Sequence, residues 1–187
     1  MQLQKNREPI KFIITFLALF LVFYYFNILF FGLTSKGGSH YNAFLAGHFN
    51  YIDGLRWLLI KLSAVLLKFF GYTVVSNKYE LLVAGHSMIQ IVYTCLGLGV
   101  VSFFAAFVIA YPKQLKPKLI FLFAGILGIE LLNVIRFAFL ALFWDNRKNQ
   151  IVDHHTVFNI FIYIVIMIAL YFWVTSTKTN KTNVGAN

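Results

Sequence analysis

The feature that most constrains this chain is a series of apolar runs of about twenty residues, the first from Phe12 to Phe31, within 187 residues. Lipid offers the backbone no hydrogen-bonding partner, so such a run crosses a bilayer only as a helix that satisfies its own amides. Ile89 to Ala110, Leu119 to Trp144 and roughly Thr156 to Trp173 read the same way. With 60% of residues apolar and 12% charged, the chain holds more hydrophobic sequence than a soluble core of this size uses. The expected fold is all-α: a polytopic transmembrane helix bundle of four to five spans, with one segment that is either a span or an interfacial amphipathic helix.

That segment is Leu55 to Phe70, where Arg56, Lys61 and Lys68 give a helix one basic face. Before the first run stand Lys5, Arg7 and Lys11, and the run is about twice a signal-peptide core with no small-residue cleavage site after it, so it reads as an uncleaved helix. Residues 33 to 54, rich in glycine and polar groups, read as a loop with short interfacial pieces. Tyr72 to Glu80 alternates like a strand and is expected outside the bilayer. Residues 1–175 are read as a single integral-membrane domain and 176–187 as a disordered cytoplasmic tail.

The formal charge of +10 has a topological reading. Lysines and arginines cluster at the ends of apolar runs, where they orient helices, so no nucleic-acid partner is expected. Lys113, Lys116, Lys118, Lys178 and Lys181 place the central loop and the C-terminus in the cytoplasm. The single cysteine, Cys95, excludes an internal disulfide, a CxxC redox pair and a multi-cysteine metal site. No cofactor and no metal are expected.

Arg136 stands inside an apolar run, at a cost of several kcal/mol on insertion scales unless it faces the bundle interior with a partner. Asn133, one turn earlier, shares its face, whereas Glu130 is turned away by about 120°. On helices beginning at Ile89 and ending at Trp144, Cys95 lies about 9 Å and Arg136 about 12 Å from the same membrane surface. His154 and His155 open the last helix on that side, and His86 precedes the third run there. A thiol, a guanidinium and an imidazole from three helices are therefore expected at one level.

These residues resemble the exosortase and archaeosortase membrane transpeptidases, most closely the short Bacteroidetes exosortase F type. The resemblance covers about residues 86–172 and rests on "CLG" at Cys95 to Gly97, "NVIR" at Asn133 to Arg136, and a histidine opening the next helix. It implies a cysteine nucleophile at Cys95, assisted by Arg136 and by one of His154 and His155, of which His155 is favoured; His154 and Asn133 are possible supporting residues, and so, by its position before the third run, is His86. It also implies substrates: exported proteins ending in a sorting motif, a hydrophobic helix and a basic tail, processed on the extracytoplasmic side of the inner membrane, where the enzyme also contacts lipid. A thiolate attacks a peptide carbonyl, an imidazole protonates the leaving amine, and a guanidinium stabilises the developing oxyanion.

Two other classes fit parts of the sequence. One is an intramembrane metal-dependent hydrolase drawing on His86, His154, His155, Cys95, Asp153 or Glu130, although no HExxH is present. The other is a non-enzymatic carrier or assembly subunit whose Glu130 and Arg136 form a buried pair.

Overall fold

The computed structural model describes the backbone of residues 7–36, 40–143 and 154–182, with side chains at 8–36, 40–143, 158 and 160–176. The order is α1 (Arg7–Thr34), α2 (Ala43–His48), α3 (Tyr51–Phe69), β1 (Val74–Ser76), β2 (Glu80–Val83), β3 (Met88–Gln90), a 3₁₀ turn (Tyr93–Leu96), α4 (Leu98–Ala110), α5 (Leu115–Phe143) and α6 (His154–Thr182). The protein is an all-α polytopic membrane protein with one small sheet.

Among the described residues, three helical stretches are long and apolar enough to span: Glu8–Thr34, Tyr93–Ala110 and Leu115–Phe143. At 1.5 Å per residue the 29 residues of α5 reach about 43 Å, more than a hydrocarbon core of about 30 Å needs. The apolar stretch of α6, Ile160–Ser176, is shorter. Two compact units divide the chain, residues 1–146 and 147–187, and α6 belongs to the second.

Within the first unit, α1 and α4 are joined by aromatic side chains at helical spacing. Phe12 meets Phe107 edge-on at 5.4 Å between ring centroids, and Phe16 and Phe20 meet Phe103 at 5.3 and 5.9 Å. One polar contact fixes the register: Asn27 Nδ2 donates to Ser102 Oγ at 3.1 Å, while Tyr51 donates to Asn27 Oδ1 at 2.5 Å. Between α4 and α5 the contact is steric. A Cβ at Gly125 would stand 2.0 Å from the tip of the Phe104 ring, so only glycine admits that ring.

Helix α3 begins at Asn50, whose side chain accepts from the Asp53 amide at 3.1 Å, a cap of the usual kind. It buries Ile52, Leu59, Ile60, Ala64 and Leu67, spaced to form one face, and leaves Lys61 and Lys68 exposed. The buried face lies on α5, where Ser63 Oγ donates to the Val134 carbonyl at 3.3 Å. The segment read as basic and amphipathic forms a helix, and among the described residues it is not one of the stretches apolar enough to cross.

The strands form an antiparallel meander, β1-β2-β3, with Val75 opposite Leu82 and Leu81 opposite Ile89. Its first turn is set by Asn77, whose Oδ1 accepts from the Tyr79 and Glu80 amides at 2.8 and 2.7 Å. Val74, Leu81 and Val83 point into a core shared with α3, the 3₁₀ turn and α5. Here the structure departs from the expected third span: Ile89 lies in β3 and the α-helix starts only at Leu98. Strand, turn and helix follow one another inside a single apolar run, which periodicity does not divide.

Candidate active site

Cys95 lies on the 3₁₀ turn ahead of α4, not within a spanning α-helix. Its amide donates to the Val92 carbonyl at 3.0 Å, closing the turn, and Phe31 from the end of α1 stacks on Tyr93 with centroids 4.3 Å apart. The cysteine is 4% exposed and belongs to the core that also contains Val134 and Phe137 of α5.

Gly97 ends the turn and starts α4, with φ +69° in the left-handed region that favours glycine. A second constraint acts there. A Cβ at Gly97 would lie 2.7 Å from Asn133 Nδ2, closer than real Cβ contacts come. The Asn133 amide nitrogen also lies 3.5 Å from the Leu96 carbonyl, a long bond, and 3.3 Å from Glu130 Oε2. The cysteine-bearing turn is thus seated on the face of α5 that presents Asn133.

Asn133 is fully buried and Arg136 is 2% exposed, one helical turn further along. The sequence expectation that these two share an inward face agrees with their burial. Glu130, which the sequence left between two roles, accepts from Asn133. The buried Asn133 Oδ1 accepts no hydrogen bond among the described residues, an arrangement that costs about 1–3 kcal/mol unless a donor arrives.

His86 is held elsewhere on the same helix. In the β2–β3 turn, its Nδ1 lies 3.0 Å from the Leu142 carbonyl, and the next amide, Ser87 N, donates to Ala141 at 3.3 Å. Helix ends leave carbonyls without intrahelical partners, and these contacts satisfy two of them. The position is six residues beyond Arg136, about 9 Å along the axis. His154 and His155 are the first residues of α6. Their side chains lie outside the described residues, as does Asp153.

Among the described residues, no three His, Cys, Asp or Glu side chains are grouped as metal ligands would be. What sequence reasoning missed is the Asn133 contact with the Leu96–Gly97 turn, and an ionic cluster of Asp53, Arg56 and Lys78. The i,i+3 spacing of Asp53 and Arg56 was a readable signal for that pair.

A protein-family profile described as transmembrane exosortase (Exosortase_EpsH) matches residues 41–172. No curated protein and no solved structure is similar enough to match.

Proposed function

Because the chain belongs to the transmembrane exosortase family, and so has a membrane transpeptidase-like role on proteins with C-terminal sorting signals, we propose that it is a cysteine transpeptidase or protease of the short exosortase F type, with Cys95 as its nucleophile. The substrates are exported proteins whose tail comprises a motif, a hydrophobic helix and a basic end. The helix docks against the bundle and presents the flanking peptide on the extracytoplasmic side of the inner membrane.

The Cys95 thiolate adds to the scissile carbonyl, and Arg136 donates to the oxyanion that forms. His155 then protonates the departing amine as the C–N bond breaks, leaving a thioester on Cys95. An acceptor amine or water takes the acyl group and returns the thiol. Asn133 seats the turn, and in this reading its Oδ1, unpartnered among the described residues, accepts an N–H once substrate binds. His154 is the alternative to His155, and His86 holds the end of α5.

The single observation that carries this reading is the seating of the Leu96–Gly97 turn on Asn133, which ties the Cys-x-Gly segment to the Asn-x-x-Arg helix. The test is a Cys95→Ser variant produced beside a native substrate. Full-length, unprocessed substrate with normal membrane levels of the variant is the expected result; processing at the normal rate would falsify the nucleophile and favour an assembly subunit.

A further inference from the structure

Beside the turn that carries Cys95 is a cavity of about 670 Å³, walled by the end of α1, the small-residue face of α2, α3, the β1–β2 turn and residues Val92 and Tyr93. Four charged residues line it: Lys36, Arg56 and Lys78 against the single carboxylate of Asp53, a surplus of two positive charges. Arg56 is only 5% exposed. Its Nη1 donates to Asp53 Oδ1 at 2.6 Å, Lys78 Nζ lies 2.8 Å from Asp53 Oδ2, and the guanidinium sits 4.9 Å from the centre of the Tyr79 ring. Arg56 Nε has no hydrogen-bond partner among the described residues. Burying an arginine that one carboxylate shares with a lysine is costly, and the arrangement suits a further anion.

We propose that this cavity binds a phosphate-bearing group, supplied as the headgroup phosphate of a membrane lipid. Asp53 already gives Arg56 and Lys78 one carboxylate, and the remaining positive charge is spread over three chain segments. A tetrahedral oxyanion presents its acceptor oxygens outside any one plane, which suits cations arriving from three separate segments. The volume exceeds what free phosphate fills and leaves room for its substituents. The cavity also opens immediately past the last turn of α1, at the level where a spanning helix leaves hydrocarbon and lipid headgroups are concentrated. The site does not depend on the reaction proposed for Cys95, and a Cys95→Ser variant binds equally.

The test uses the full chain in detergent, freed of lipid and titrated with phosphatidylglycerol or with diacylglycerol, with retained lipid counted by native mass spectrometry. One phosphatidylglycerol per chain and no diacylglycerol is expected. Lys36→Gln and Lys78→Gln each weaken retention about five-fold. Arg56→Gln weakens it further, but it breaks a buried pair, so the exposed Lys36 carries the test should Arg56→Gln fail to fold. Displacement by inorganic phosphate or glycerol phosphate at matched concentration supports the phosphate site and assigns it a soluble source. Equal retention of diacylglycerol, indifference to Lys36→Gln, or tighter binding of a glutamate-rich peptide with the same variant sensitivity overturns the proposal.

Discussion

Asn133 of α5 and Gly97, which links the 3₁₀ turn to α4, are packed so closely that a single added carbon at residue 97 would stand 2.7 Å from the asparagine amide nitrogen. The contact makes Gly97 sensitive twice over, through its positive φ and through its neighbour. Gly97→Ala is expected to cost about 1–3 kcal/mol and to displace the turn that carries Cys95. Thermal unfolding in detergent reads the first effect, and the rate of Cys95 modification by a membrane-permeant maleimide reads the second. Adding Asn133→Ala should recover only the steric part; full recovery would show that backbone strain contributes nothing.

His86 and His155 are expected to separate by readout. His86→Ala leaves the Leu142 carbonyl without its ring partner, loosening the end of α5 by about 1 kcal/mol while processing continues. His155→Ala is expected to abolish processing with unfolding unchanged. Hydrogen exchange at the end of α5, paired with a processing assay, checks both. Loss of processing in His86→Ala with intact stability would move the general acid to the sheet.

Gly125 and Phe104 give a test of packing away from the chemistry. Gly125→Ala drives a methyl into the Phe104 ring, and destabilisation of about 1–3 kcal/mol is expected. Phe104→Leu in the same chain should return most of it, since the ring tip is what the methyl meets. Non-additive melting temperatures of the single and double variants would support the contact, and strict additivity would refute it.

Lys78 titrates above its usual range, first because it hydrogen-bonds Asp53, although it is largely exposed. The folded chain therefore holds that proton more tightly than the unfolded chain. The contribution is complete below pH 10.5, the ordinary lysine value, and disappears as pH rises through the higher folded value. Stability curves of the parent and Lys78→Gln proteins should differ at neutral pH and converge in strong alkali. A constant gap at every pH would mean that the ammonium charge is not what stabilises this junction.

The spans were legible because lipid forces a long apolar run into one conformation. Phe12 to Phe31 and Leu119 to Trp144 left no alternative, and α1 and α5 include them up to Phe143. Leu55 to Phe70 was legible as two-faced because Lys61 and Lys68 recur seven apart. The segment around Cys95 was not legible. Glu80 to Val83 and Met88 to Gln90 are too short to show a period, and Ile91 to Leu96 has helix-like apolarity, so nothing before Gly97 marks where the α-helix starts. The seating of Leu96 and Gly97 on Asn133 joins residues nearly forty apart, and no local pattern encodes it. The Asp53, Arg56 and Lys78 cluster was hidden for a related reason: a basic residue in an amphipathic helix reads as a solvated one until the hairpin folds over it.

The turn at Tyr93–Leu96 and the long helix carrying Arg136 are unlike supports, but joined ones. A rod tens of ångströms long tilts as a unit when hydrocarbon thickness changes. The 3₁₀ coil is seated on that same rod through Asn133, one helical turn from Arg136, and follows its tilt. Sulfur and guanidinium would therefore keep their spacing as acyl chains lengthen or shorten, and what the host bilayer varies is the depth at which the pair meets a substrate.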